Sequence, residues 1–257
     1  GEQEVRLGLR ELERSIELNP GAIEPYKVYL PAIVQQDDHE RARKYALLAA
    51  ANHPGGVQLV RALVAVYVQQ SRYEPAIAML REAIQLENLP PRTFGRLILK
   101  RHLGQVLALN KQPEQAAEAY RALLDELRPE RPKLEELERK QLYGERGELF
   151  EDMGTVFLAA KLPELAVESF AESAQFGQRS PGLQSFNLAQ VFRQTGKPER
   201  ALEELHKYFA AQLSEKGRAP YQLLKELLTE LKRDDELLDR LRGMAEVDPH
   251  NKFLQHF

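Results

Sequence analysis

The sequence predicts an all-α solenoid built from antiparallel helix hairpins. Three observations predict it. Small residues recur at Gly8, Ala42, Ala76, Ala116, Ala166 and Ala201, with Leu237 last, at spacings of 34, 34, 40, 50, 35 and 36 residues. A period near 34 is that of a helix–turn–helix repeat. Large apolar residues stand thirteen places before the small ones, at Tyr29, Leu63, Leu103, Met153, Leu188 and Leu224, and nine places before, at Ile33, Tyr67, Leu107, Phe157, Phe192 and Leu228. A spacing of four puts each pair on one helical face. Four residues after the small position come Leu12, Ala46, Leu80, Tyr120, Phe170, Leu205 and Leu241, on the inner face of the next helix.

The turns follow the same beat. Lys111-Gln112-Pro113-Glu114, Lys161-Leu162-Pro163-Glu164 and Gly196-Lys197-Pro198-Glu199 occupy equivalent places. Proline at the first helical position sacrifices no hydrogen bond, and a glutamate beside it favours the helix dipole. Within a hairpin, two helices approach closely where bulky side chains are missing, and Gly104, Gly154 and Ala189 supply such a gap on the first helix.

These features divide the chain into one array over 1–257. Its units are 1–22 (second helix only), 23–56, 57–90, 91–130, 147–180, 182–215 and 218–251, with 252–257 a tail or the start of another helix. The 40-residue spacing lengthens a first helix starting at Pro91. The 50-residue spacing inserts a helical element at about 131–146, whose Lys133-Leu134-Glu135-Glu136-Leu137-Glu138-Arg139-Lys140 is rich in helix formers. It either elongates a helix or adds an extra turn, or it projects towards a partner or another domain. Gly1 is not a natural initiator and the first residues read as the second half of a hairpin, so a piece of a longer chain is expected.

Composition narrows the function. The chain is 43% hydrophobic and 29% charged, enough for a packed core. A net charge of −3 argues against a general nucleic-acid or anionic-membrane binder, which needs a basic excess. The absence of cysteine removes disulfides, thiol catalysis and Cys-based metal sites. No apolar run is long enough to span a membrane, and the compartment, cytoplasmic or extracytoplasmic, stays open. There is no phosphate-cradling glycine loop, no nucleophile elbow and no HExxH. His39, His53, His102, His206, His250 and His256 form no close pair on one helical face. A non-catalytic chain without cofactor or metal is expected.

The pattern resembles the tetratricopeptide repeat family, most specifically in Leu103-Gly104 through Tyr120, Met153-Gly154 through Phe170 and Leu188-Ala189 through Leu205. The family's usual tryptophan near the start of the first helix is replaced by Tyr26, Phe150 and Tyr221 in three units, and the last unit carries Lys225 and Leu237 at the two small positions. The resemblance implies a right-handed superhelix with ligand contacts on its concave face. It places one contact column at Lys27, Arg61, Arg101, Glu151, Phe186 and Gln222, and a second, four residues on, at Pro31, Ala65, Gln105, Thr155, Gln190 and Glu226, with Gln69 beside them. Lys27, Arg61 and Arg101 then form a cationic wall suited to an acidic segment or a carboxylate. Pro31 and Ala65 stand where the family's chaperone-tail binders carry asparagine, so that ligand is not expected. Glu148, Glu151, Glu226 and Glu230 turn the far end acidic, and Phe186 offers an apolar anchor. The expected function is a scaffold that holds a peptide or partner protein in this groove. The alternatives are a substrate-docking or regulatory segment of a larger enzyme or of a cell-envelope or secretion assembly, a single-stranded RNA reader, and end-to-end self-association through exposed terminal helices.

Overall fold

The structure, a computed structural model, describes residues 2–128, 131–176, 181–211 and 216–255. Among them the only regular elements are helices. The chain forms two compact units, residues 1–142 and 143–257. The first holds α1 (Glu2–Leu18), α2 (Ile23–Gln35), α3 (His39–Asn52), α4 (Gly56–Gln69), α5 (Tyr73–Ile84), α6 (Phe94–Leu109), α7 (Pro113–Leu127) and nearly all of α8 (Glu136–Tyr143). The second holds α9 (Glu148–Ala159), α10 (Pro163–Ala174), α11 (Pro181–Gln194), α12 (Pro198–Ala210), α13 (Ala219–Glu230), α14 (Glu236–Val247) and the short α15 (Lys252–Gln255). Consecutive helices pack on one another within each unit. Alternate helices also touch, α4 on α6 in the first unit and α9 on α11 on α13 in the second, so the first helices of successive hairpins form a layer.

One turn is repeated six times. Asp37, Ser71, Lys111, Lys161, Gly196 and Lys232, each five residues before a small position, adopt φ between 57° and 70°. The next residue's N–H donates five residues back in every case, as from Arg72 to Tyr67, Leu162 to Phe157 and Lys197 to Phe192, each at 2.8 Å. This is the left-handed Schellman cap, which satisfies the last carbonyls of the first helix and reverses the chain. Only Gly196 takes that backbone shape without steric cost. Lys161 is exposed, so Lys161→Gly should raise stability by roughly 0.5–1 kcal/mol in a denaturant melt. An unchanged or lower midpoint would mean that this turn is not held in the left-handed form.

The small residues Ala42, Ala76, Ala116, Ala166 and Ala201 are completely buried. The gap opposite them has a more specific occupant than close helix approach. A Cβ on Gly104 would collide with the Tyr120 ring, and one on Gly154 with the Phe170 ring. Each glycine thus makes room for the aromatic residue four places after the small position. Equivalent pairs are complementary in size: Leu30 with Ala46, Val64 with Leu80, Gly104 with Tyr120, Gly154 with Phe170 and Ala189 with Leu205, all buried. A dense interior requires such compensation, because a hairpin repeated at fixed spacing has a fixed volume to fill.

A Cβ on Gly8 would meet nothing within 4 Å among the described residues; α1 buries Leu9 and Ile16, and its Glu13 bonds Tyr29 of α2 and Arg41 of α3. The helix after the 40-residue spacing starts at Phe94, not Pro91, since Arg92 is left-handed (φ 67°) and donates its N–H to Glu126 at 2.9 Å. In the last hairpin α14 contains no fully buried residue. Leu237, Leu241 and Met244 are only partly covered by the core around Leu224 and Leu228, as expected where Lys225 and Leu237 replace small residues.

Candidate functional site

In the first unit the expected cations do not share one open wall. Lys27 on α2 is exposed and bonds Glu24 one turn earlier, at 2.7 Å. Arg61 on α4 and Arg101 on α6 are half-buried and already engaged. Arg61 donates through Nε to His102 Nε2 at 3.1 Å, and through Nη1 to Gln58 Oε1 at 2.7 Å and Gln141 Oε1 at 2.9 Å. Arg101 Nη1 donates to the carbonyls of Gln141 and, at 2.9 Å, of Leu142. The inserted helix α8 therefore sits over these two arginines. It neither elongates α7 nor projects freely. Gln105 lies half-buried beside His102 and hydrogen-bonds it, while Gln69 is exposed at the end of α4. Burial, then Arg61 and Arg101, depress the His102 imidazole to a pKa of about 4, against a weaker opposing bond from Gln105.

In the second unit the expected residues converge. Thr155 on α9, Phe186 and Gln190 on α11, and Gln222 and Glu226 on α13 all line one open cleft of about 600 Å³. Its floor is apolar, from Leu158, Ala159, Ala219 and Leu223. Its far wall is ionic: Arg193 bonds Glu226, and at 2.7 Å Glu230. Gln222 donates to Glu226 at 2.7 Å and Gln194 to the Leu158 carbonyl at 2.6 Å. Gln190 has no hydrogen-bond partner among the described residues. Phe186 is not the exposed anchor expected of it. It is 5% exposed, its ring lies 5.4 Å from that of Tyr208, and it belongs to the core of α11–α13 while showing one edge to the cleft. Glu151 stays outside the cleft, paired with Lys216.

Sequence reasoning placed Glu230 on this face but missed Arg193, Gln194 and Ala159. Ala159, Gln194 and Glu230 stand four residues beyond Thr155, Gln190 and Glu226, where Gln69 also stands relative to Ala65. Continuing the i, i+4 spacing for one more turn would have added Ala159 and Gln194 to Glu230. Arg193 lies off the columns, and only the fold shows its carboxylate partners.

Among the described residues no helix is long and apolar enough to cross a membrane, and no group of three His, Asp or Glu side chains could hold a metal. No family model matches the sequence, and no curated protein matches it. Solved structures do. YrrB, described as a TPR protein with an unusual peptide-binding site, is 20% identical over 78% of this chain and 92% of its own, with a TM-score of 0.50. MamA from Desulfovibrio magneticus RS-1 is 16% identical over 76% and 97%, with a TM-score of 0.53. PilF from Pseudomonas aeruginosa is 19% identical over 91% and 95%, with a TM-score of 0.50. At such identities the likeness speaks for architecture alone. With the repeated hairpins and caps, it gives this chain a tetratricopeptide-like helical solenoid fold.

Proposed function

We propose that the chain is a non-catalytic interaction scaffold and that the cleft of the second unit takes a segment of a partner polypeptide. The observation that carries this reading is the meeting of Thr155, Gln190, Gln222 and Glu226, from three successive first helices, on one cleft with an apolar floor and a polar rim. An extended peptide alternates side chains with main-chain amides. An apolar floor accepts the first, and amide side chains such as that of Gln190 bond the second. A cleft of about 600 Å³ lies within the usual range of ligand sites. Rigid stacked helices hold such groups at fixed spacing, which lowers the ordering cost of recognition. The peptide-binding description of YrrB belongs to that protein, and here it only makes the same use of the fold a reasonable expectation.

The test is selection from a random peptide library displayed on phage, with retained peptides measured again on Thr155→Trp. Thr155 is exposed, so an indole there fills the cleft without entering the core. The expected result is enrichment of peptides whose affinity falls at least about tenfold on the variant, the loss of roughly 1.4 kcal/mol. No enrichment, or equal binding to both proteins, would overturn this reading.

A further inference from the structure

The cleft of the second unit is polarised along its length. The last residues of three first helices line it: Ala159 of α9, Gln194 of α11 and Glu230 of α13. A helix presents a partial negative charge at its C-terminal end, and three such ends at one edge act together. The charged side chains add to this. Among the described residues the lining holds one guanidinium, that of Arg193, against two carboxylates, those of Glu226 and Glu230. Burial lowers the Arg193 pKa, yet Glu230 and Glu226 outweigh it and hold the group above its ordinary value. Lys161 and Lys232, in the turns beyond, are exposed and outside the lining. One edge of the cleft therefore carries an excess of negative charge.

Acceptors at this edge are open. Glu226 is bonded by Arg193 and, at 2.7 Å, by Gln222. Glu230 accepts from Arg193 on Oε1 at 2.7 Å, and its Oε2 accepts nothing among the described residues. Gln194 donates its amide N–H to the Leu158 carbonyl, which leaves its own oxygen to accept. A guanidinium answers both needs. It is always charged, and its planar fork of five N–H donors suits a carboxylate and has donors to spare for an amide oxygen.

We infer that the segment taken by this cleft carries an arginine, whose guanidinium lies at the edge formed by the ends of α9, α11 and α13, on Glu230 and the Gln194 amide oxygen. An apolar neighbour in the segment rests on the floor at Leu223. The inference rests on the peptide-binding reading of the cleft and adds the charge and orientation of its occupant. An acidic segment is refused by the same edge, because a third carboxylate would meet two that share one cation.

The test uses the whole chain and randomised short peptides displayed on phage, in three arms whose central residue is fixed as arginine, glutamine or glutamate. Retention is counted on the wild type, on Thr155→Trp and on Glu230→Gln. The arginine arm should be retained at least about tenfold over the glutamate arm, with the glutamine arm between them, and added salt should narrow the gap. Glu230→Gln removes the open carboxylate and leaves Arg193 paired with Glu226. It should erase most of the preference for arginine while retaining the glutamine arm as the wild type does, which also shows that the cleft is intact. Thr155→Trp should lower retention in every arm. Peptides sensitive to Thr155→Trp but spread evenly over the three arms, or an arginine preference unchanged by Glu230→Gln, would overturn this inference and leave the peptide-binding reading standing. The absence of such peptides from all arms would overturn both.

Discussion

Gly154→Val should destabilise the α9–α10 hairpin by about 3 kcal/mol, although valine is the better helix former by several tenths. The two effects oppose each other, and packing wins. Gly154 lies inside α9 and is buried, and any Cβ there collides with the Phe170 ring. Neither partner can retreat cheaply: one is helix backbone, and the ring is buried at 3% exposure. The pair Val64 and Leu80 at the equivalent place in α4 and α5 shows which combination fits the same interval. Phe170→Leu alone should leave a void and cost about 1–2 kcal/mol. The double variant Gly154→Val with Phe170→Leu should recover most of the loss, with a coupling of about 1–3 kcal/mol. Urea unfolding followed by circular dichroism measures all four corners of the cycle. Simple addition of the two single losses would show that glycine and ring do not share one space.

How much of this was legible depends on whether a feature repeats. The hairpins, their left-handed caps and the convergence of Thr155, Gln190, Gln222 and Glu226 all follow from spacing, because a periodic sequence places equivalent residues at equivalent points of equivalent helices. Even the pairing of Gly104 with Tyr120 could have been read, had residue sizes been compared across units. The fate of Arg61 and Arg101 could not. It is decided by α8, which belongs to no repeat and whose sequence announces a helix without saying where it docks. Phe186 was misjudged for a related reason. A column position fixes the direction of a side chain roughly, but a large ring at that position turns into the core when Tyr208 offers it a face.

Acid should weaken the first unit well before its carboxylates protonate, and His102 is the reason. Unfolded, this imidazole takes a proton near 6.5. Folded, it stays neutral down to about 4, because burial and the two flanking arginines oppose a further positive charge. Between those values the unfolded chain binds more protons than the folded one, so stability is complete above the unfolded pKa and is lost as pH falls through the window. The loss attributable to this group approaches about 3 kcal/mol at pH 4, at roughly 1.4 kcal/mol for each pH unit. His206 in the second unit is also depressed, by burial and then Arg240 and Arg233, and acts in the same direction. The carboxylate of Glu126 separates by its range. Burial raises its pKa, but Lys100 and the Arg92 N–H outweigh that and hold it below the ordinary value. Its contribution survives until the medium is more acidic. His102→Gln retains an acceptor for Arg61 and cannot titrate. Its stability, measured by urea unfolding from pH 7 to pH 4, should fall less steeply than that of the wild type while matching it at pH 7. Protonation also turns the Nε2 acceptor of Arg61 into a donor, so this contact should open first. Amide exchange over 136–142 should therefore quicken towards pH 5 in the wild type, beyond the intrinsic dependence of exchange on pH, and not in His102→Gln. Parallel pH profiles for the two proteins would show that His102 is not held neutral by Arg61 and Arg101.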